Sequence, residues 1–349
     1  MTALAVTLDA RRLQDEPLGG VGRALAGLVP ELARRCDVTL LTDGRRPAPP
    51  IDAPTEALTL LPGLPEVAWL HGPARRWARA HPQLFHGTFN ALPSGLRGPS
   101  VVTIHDLSFE VHPEDFRSAK RRLFQIQARS AVQRAGHVIT VSRFSAGELV
   151  ERYRLRPEQV TVIPHAVDPR FSPARADPSP AGAPYVVALG GAPRRGLEVA
   201  VAAWRSVRAG GVDVDLCTLG GPTPPAEPGL RPLGHLDDDA WAAVLAGAEA
   251  LVYPTRYEGF GLPALEAAAS GTPVVCARVA SLPEVLGPAA AWCDAPTVEQ
   301  IAERLRAVLT DGALAGQLRA AGLERAAGTP SWADLADAHV EVYRAAVAG

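Results

Sequence analysis

The chain is 349 residues long, with 35 basic and 37 acidic side chains, a formal net charge of −2, and 47% hydrophobic against 21% charged residues. This is the composition of an ordinary globular protein of about two domains. Such a balanced charge excludes a surface built to coat nucleic acid. Four scattered cysteines (Cys36, Cys217, Cys276, Cys293) form no C-x-x-C pair, which argues against a disulfide framework or structural zinc and for a reducing, cytoplasmic setting. The N-terminus has no positive stretch ahead of its short apolar run, unlike a signal peptide. No uncharged apolar run reaches the ~18 residues that span a bilayer, so any membrane contact is expected to be peripheral, at the inner face.

Short apolar runs alternate with helix-length segments along the whole chain. Ala3–Asp9, Val38–Thr42, Leu84–Thr88, Val101–His105, His137–Val141 and Val160–Pro164 read as buried strands, rich in Val, Ile, Leu and Thr. Val21–Arg35, Phe116–Ala135 and Ser145–Tyr153 read as helices between them, the last opening on a capping-box pair, Ser145 and Glu148. From Pro169 to Pro184 five prolines break any periodicity, which predicts a linker over 169–184. Strands resume at Tyr185–Leu189, Val214–Leu219, Ala250–Tyr253, Pro273–Ala277 and Ala290–Cys293. The pattern predicts two doubly wound, parallel-sheet α/β domains, 1–168 and 185–330, with a cleft between them. A C-terminal helix, 331–349, is expected to pack back on the first domain.

Ligands of open α/β sheets bind where strands run into helix N-termini, and three such turns stand out. Leu18-Gly19-Gly20-Val21-Gly22-Arg23 offers glycine backbone and a helix start to an anion; a plain tight turn fits it nearly as well. Gly190-Gly191-Ala192-Pro193-Arg194-Arg195-Gly196 sets two arginines at a helix start, suited either to a pyrophosphate or to solvent. Lys120 is the only lysine in the chain, so phosphate neutralisation in the second half falls to arginine. The third turn, Thr255 to Glu266, carries Glu258 in a glycine loop and Glu266 one turn into the helix that Pro263 opens. Carboxylates there accept hydrogen bonds from vicinal hydroxyls, and glycine N–H groups serve anionic oxygens.

The run Glu258-Gly-Phe-Gly-Leu-Pro-Ala-Leu-Glu266 resembles the donor-site signature of retaining glycosyltransferase family 4, a GT-B-fold family that includes many bacterial mannosyl- and glucosyltransferases. Gly19-Gly20-Val21-Gly22-Arg23, Val101 to Leu107, Val141 to Ser145, Val162-Ile163-Pro164 with Val167-Asp168, and Gly271-Thr272-Pro273-Val274-Val275 follow in the family's order. The resemblance implies that Glu258 meets the donor sugar's hydroxyls, helped by the N–H groups of Gly259, Phe260, Gly261 and Leu262. Glu266 would hold the ribose. Arg194 and Arg195, beside Gly191, would neutralise the diphosphate, with Gly20 approaching it from the other domain. His105 would bond to the sugar near its anomeric carbon, although a strand-end histidine taken alone is more often a structural hydrogen-bonder. Asp106 reads equally as a helix cap or as a group orienting the acceptor. Two departures stand out: the family's usual Lys of the diphosphate pair is Arg195, and its frequent Asn-Gly before Val-Asp is His165-Ala166.

The implied reaction moves a hexose from a nucleoside diphosphate sugar to an acceptor hydroxyl with retention, without metal or further cofactor. The Thr103-Ile104-His105-Asp106 segment resembles mannosyltransferases of surface polysaccharide assembly, which makes GDP-mannose the first donor expected and UDP-glucose the second. The acceptor is left open between a sugar, a lipid-linked glycan and a small molecule. Asp237-Asp238-Asp239 satisfies a D-x-D metal pattern but directly precedes a helix, where acids cap N–H groups. His81, His86 and His112 read as loop or site-wall residues. Basic runs around Arg75 to Arg79 and Lys120 to Phe124 fit a solvated helix face, or anionic lipid if the acceptor is membrane-bound. The competing functions are a GT-B-fold sugar-nucleotide epimerase and a non-catalytic sugar-nucleotide-binding module.

Overall fold

The computed structural model describes residues 4–64, 66–175, 184–221 and 227–349. Part of the proline-rich stretch, 176–183, therefore lies outside the described residues. The chain forms two compact units, Met1–Ala166 with Pro330–Gly349, and Val167–Thr329.

The first unit is built on a seven-stranded sheet: β1 (Ala5–Asp9), β2 (Asp37–Asp43), β3 (Thr55–Leu58), β4 (Leu84–Gly87), β5 (Ser100–Ile104), β6 (His137–Thr140) and β7 (Val160–Val162). Its spatial order is β3-β2-β1-β4-β5-β6-β7, every pair parallel. The helices before the second unit are α1 (Gly20–Ala33), α2 (Glu66–Trp69), α3 (Arg75–Ala80), α4 (Ser108–Val111), α5 (Ser118–Arg134) and α6 (Arg143–Tyr153). Helix α6 is capped by Ser142, whose side chain accepts from the Ser145 N–H. The expected cap at Ser145 is thus displaced by one turn: two serines stand three residues apart, and the earlier one has the extended backbone a cap requires.

The second unit carries β8 (Tyr185–Leu189), β9 (Asp215–Leu219), β10 (Leu230–Gly234), β11 (Ala250–Tyr253), β12 (Val274–Ala277) and β13 (Ala290–Cys293) in the order β10-β9-β8-β11-β12-β13, again all parallel. Its helices are α7 (Leu197–Ala209), α8 (Asp238–Ala246), α9 (Leu262–Ala269), α10 (Leu282–Leu286), α11 (Val298–Thr310) and α12 (Gly312–Ala327). Both sheets are the doubly wound type: strand order reverses between β1 and β4 in one and between β8 and β11 in the other. The crevice at the carboxyl ends of those paired strands is where such sheets take ligands. The four cysteines are buried and free, and no helix among the described residues is long and apolar enough to cross a membrane.

The last helix, α13 (Trp332–Ala348), belongs to the first unit, although the chain reaches it from the second. A capping box of Ser331 and Asp334 starts it. Leu335, Ala336, Val340, Val342 and Tyr343 then enter the core formed by α1, β1, β2 and β4. Helix α1 accommodates it by having no side chain at Gly27, where a Cβ would lie 2.3 Å from the Trp332 ring. The indole is rigid and too large to swing aside at little cost. Gly27→Ala is therefore predicted to destabilise the protein by about 1–3 kcal/mol through overpacking, measured as a lower urea midpoint. An unchanged midpoint would show that α13 yields freely at this contact.

Candidate functional site

In the second unit the switch point falls between the two strands that lead into the arginine and glutamate turns. Strands β8 and β11 pair in register, Val186 with Ala250 through Ala188 with Val252, so the turns after Leu189 and Tyr253 emerge side by side. Gly196, at φ +67°, joins them: a Cβ there would lie 2.6 Å from the Pro254 carbonyl oxygen. The Arg256 N–H donates to the Arg194 carbonyl at 2.8 Å, and the Thr255 hydroxyl lies 3.3 Å from the same oxygen. This stitching brings the Arg195 Nε to 3.9 Å from Glu258 Oε1, while Arg195 Nη1 donates to the Gly190 carbonyl at 3.1 Å. Gly191 follows in the same turn.

The Glu258 loop is braced from below. Ser281, fully buried at the start of α10, shares its single hydroxyl proton between the carbonyls of Glu258 and Phe260, both at 2.9 Å. Gly261, at φ +96°, then turns the chain into α9; a Cβ there would lie 2.5 Å from Leu282 Cδ2. Leu262 and Pro263 open the first turn of that helix, and the N–H groups of Ala264 and Leu265 both reach the Gly261 carbonyl, at 3.0 and 3.2 Å. Only 9% of Glu258 and 3% of Glu266 is exposed, and each carboxylate has a donor that sequence reasoning missed. The Tyr253 hydroxyl donates to Glu258 Oε1, and the Trp241 indole N–H, from α8, donates to Glu266 Oε2 at 2.8 Å. Burial foremost, and then the charge of Glu258, push the Tyr253 pKa well above its usual value, so the phenol keeps its proton and donates. Tyr253 could have been noticed as the polar end of an apolar strand; nothing in the sequence links Trp241 to Glu266.

Asp237 caps α8, accepting the Ala240 N–H at 2.8 Å, and Arg170 lies 3.9 Å from Asp238 and 3.7 Å from Asp239. The D-x-D run is thus engaged in helix capping and ion pairing.

In the first unit, Gly20 is the first residue of α1, after Gly19, and Asp106 accepts from both the N–H and the hydroxyl of Ser108 at 2.8 and 2.6 Å, tying down the start of α4. His105 follows β5. Its Nε2 faces the Thr88 carbonyl at 2.9 Å; a carbonyl only accepts, so Nε2 carries the proton and Nδ1 is the bare acceptor. That Nδ1 is buried without a hydrogen-bond partner among the described residues. The ring stacks on His165, centroids 5.6 Å apart. His86, expected in a loop or site wall, lies within β4 rather than in a loop and is buried, with its nitrogens 2.7 Å from the Tyr343 hydroxyl and 2.8 Å from Thr103 Oγ1. His86, His105, His165 and His339 together line one small cavity. His81 stacks on Trp77, and His112 lies 3.0 Å from Glu114 Oε1.

Two parallel α/β units, each with a glycine turn at its switch point and one with paired buried glutamates beside an arginine, place the chain among doubly wound α/β proteins, whose ligands sit at that point. Two family descriptions match the chain: Glycosyltransferase Family 4 over residues 18–171 and Glycosyl transferases group 1 over residues 183–311. The chain is 34% identical over 226 residues to the MMP alpha-(1->4)-mannosyltransferase of Mycolicibacterium hassiacum, covering 60% of this chain but 54% of that enzyme. It is 30% identical over 292 residues to a glycogen synthase of Mycobacterium tuberculosis, covering 79% of this chain and 69% of that one. In fold it is similar to HepE of Anabaena, solved in complex with UDP and glucose, at a TM-score of 0.76 and 17% identity over 98% of this chain and 99% of that one. The chain belongs to glycosyltransferase family 4, with the GT-B fold.

Burial lowers the pKa of all four cavity histidines, that of His339 from 6.5 to about 4. The fold therefore admits them neutral. Above about pH 6.5 folded and unfolded chains are both deprotonated there. As pH falls, the unfolded chain takes up protons that the folded one refuses, and stability drops until the folded pKa is passed. For His339 the span from 6.5 to about 4 amounts to roughly 3 kcal/mol. The urea midpoint is predicted to fall between about pH 7.5 and about pH 4.5, and His339→Asn is predicted to flatten that dependence. Equal pH dependence in the variant would contradict this.

Proposed function

We propose that the protein transfers a hexose from a nucleoside diphosphate sugar to an acceptor hydroxyl with retention at the anomeric carbon. The observation that carries this reading is the arrangement after β8 and β11: a buried carboxylate, Glu258, fixed 3.9 Å from the arginine of the neighbouring turn, with a second buried carboxylate, Glu266, one turn into α9. An arginine beside a sugar-facing carboxylate suits a ligand that is polyhydroxylated at one end and anionic in the middle. Arg194, Arg195 and the N-terminus of α9 supply the positive charge that the departing diphosphate requires, so the proposal needs no metal or other cofactor.

In the proposed step the acceptor oxygen forms its bond to the anomeric carbon on the face from which the diphosphate leaves. The anomeric C–O bond to phosphate breaks, and the departing phosphate takes the acceptor's proton. His105, held neutral with its proton on Nε2, is proposed to act toward the sugar as a hydrogen-bonding group. Mannosyl relatives favour GDP-mannose as donor; the glycogen synthase relative and the UDP-bound fold neighbour keep UDP-glucose second. The acceptor belongs to polysaccharide, glycolipid or glycoconjugate synthesis in this reading, and the setting is cytoplasmic. If the acceptor is lipid-linked, α5 is the face proposed to meet the membrane: it carries Lys120, Arg121, Arg122, Arg129 and Arg134 with no acid, and Ile126 is 63% exposed on it.

A thermal-shift screen of nucleotide sugars tests the donor assignment. A ligand at about 100 times its Kd is predicted to add roughly 3 kcal/mol of stability. Arg195→Ala is predicted to weaken binding of the donor that responds by about 10- to 100-fold. No shift with any nucleoside diphosphate sugar or free nucleotide would overturn the assignment.

A further inference from the structure

A carboxylate in water rotates freely and presents either oxygen; one that must read the hydroxyls of a sugar has to be held. Glu258 is held at Oε1. The Tyr253 hydroxyl donates to Oε1, and Arg195 Nε, 3.9 Å away, approaches that same oxygen, so Oε2 takes no bond from either partner. Tyr253 is fully buried at the end of β11, where the sheet fixes its backbone. Its raised pKa keeps it a donor, the only role a hydroxyl can take toward an ionised carboxylate. Glu266 is held separately. Trp241 is a donor without acceptor capacity, 5% exposed, and it reaches Glu266 Oε2 from a different helix. Each carboxylate therefore has a neutral donor of its own, one on the strand and one on α8.

We infer that Tyr253 and Trp241 are positioning residues that divide donor recognition between its two ends. Tyr253 acts through Glu258 on the sugar, and Trp241 acts through Glu266 on the ribose. The inference rests on the roles given above to the two glutamates. Each support aligns a carboxylate for the ligand hydroxyls without touching the ligand, so its loss affects only the end of the donor that its own glutamate reads.

Isothermal titration of GDP-mannose against GDP, and of UDP-glucose against UDP, tests this on the full chain. For whichever pair binds the wild type, Tyr253→Phe is expected to weaken the sugar nucleotide about tenfold while the free nucleotide keeps its affinity within about twofold. Trp241→Phe is expected to weaken both members of the pair by the same factor, leaving their ratio unchanged. Glu258→Gln serves as the control. If it lowers the ratio of sugar-nucleotide to nucleotide affinity and Tyr253→Phe does not, the inference is overturned. A lowered melting temperature with an unchanged ratio in Tyr253→Phe marks a purely structural role and overturns it equally. A Trp241→Phe protein that binds both ligands as the wild type does removes the Trp241 half. If Glu258→Gln itself leaves the ratio unchanged, or the wild type binds none of the four probes, the donor-site reading fails and the inference with it.

Discussion

Taking a carboxylate out of water demands hydrogen-bond donors in its place, and the second unit does this twice within nine residues, at Glu258 and Glu266. An ionised group left unpartnered in such surroundings would be strongly destabilising or would give up its charge. The unit answers with a phenol at the end of β11 and an indole on α8. Much of the local architecture serves that requirement. Ser281 pins the loop carbonyls, Gly196 lets the two turns touch, and Gly261 turns the chain into α9, which is buried from Ala264 to Ala269 and carries Glu266 with it.

The parallel sheet makes this placement possible. Its order reverses between β8 and β11, so two successive turns diverge from neighbouring strand ends and leave a crevice between them. The arginine turn supplies charge to one side of that crevice and the glutamate turn supplies acceptors to the other. Because both are fixed by backbone contacts, such as Arg256 N–H to the Arg194 carbonyl, little ordering remains for a ligand to bring about.

Much of this was legible in the sequence. The central strands announced themselves as apolar runs, and Tyr185–Leu189, Ala250–Tyr253 and Ala290–Cys293 match the observed β8, β11 and β13 residue for residue. The two strands that escaped, β3 and β10, are both outermost in their sheets. Each is largely exposed, and β10 contains Pro232, so neither needs an apolar run and neither shows one. The candidate site was legible as motifs: Glu258, Glu266, Arg194 and Arg195 sit in local patterns that one turn imposes. Their supports were not. Trp241 and Glu266 meet across 25 positions, and His86 and Tyr343 across 257. Such pairs are set by which elements pack together, and local periodicity carries no trace of them. His86 illustrates the consequence: its strand was legible in the apolar run Leu84–Thr88, but its bond to the last helix was not.

The central claim is that the mouth of α9 holds a donor, with Glu258 on its sugar and Glu266 on its ribose. Crystals of the chain grown with GDP-mannose and with UDP-glucose test it most directly. The account predicts sugar hydroxyls within about 3 Å of the Glu258 carboxylate and ribose hydroxyls within about 3 Å of Glu266 in at least one of the two complexes. A sugar nucleotide bound elsewhere, or bound here with neither glutamate reaching one of its hydroxyls, would contradict it.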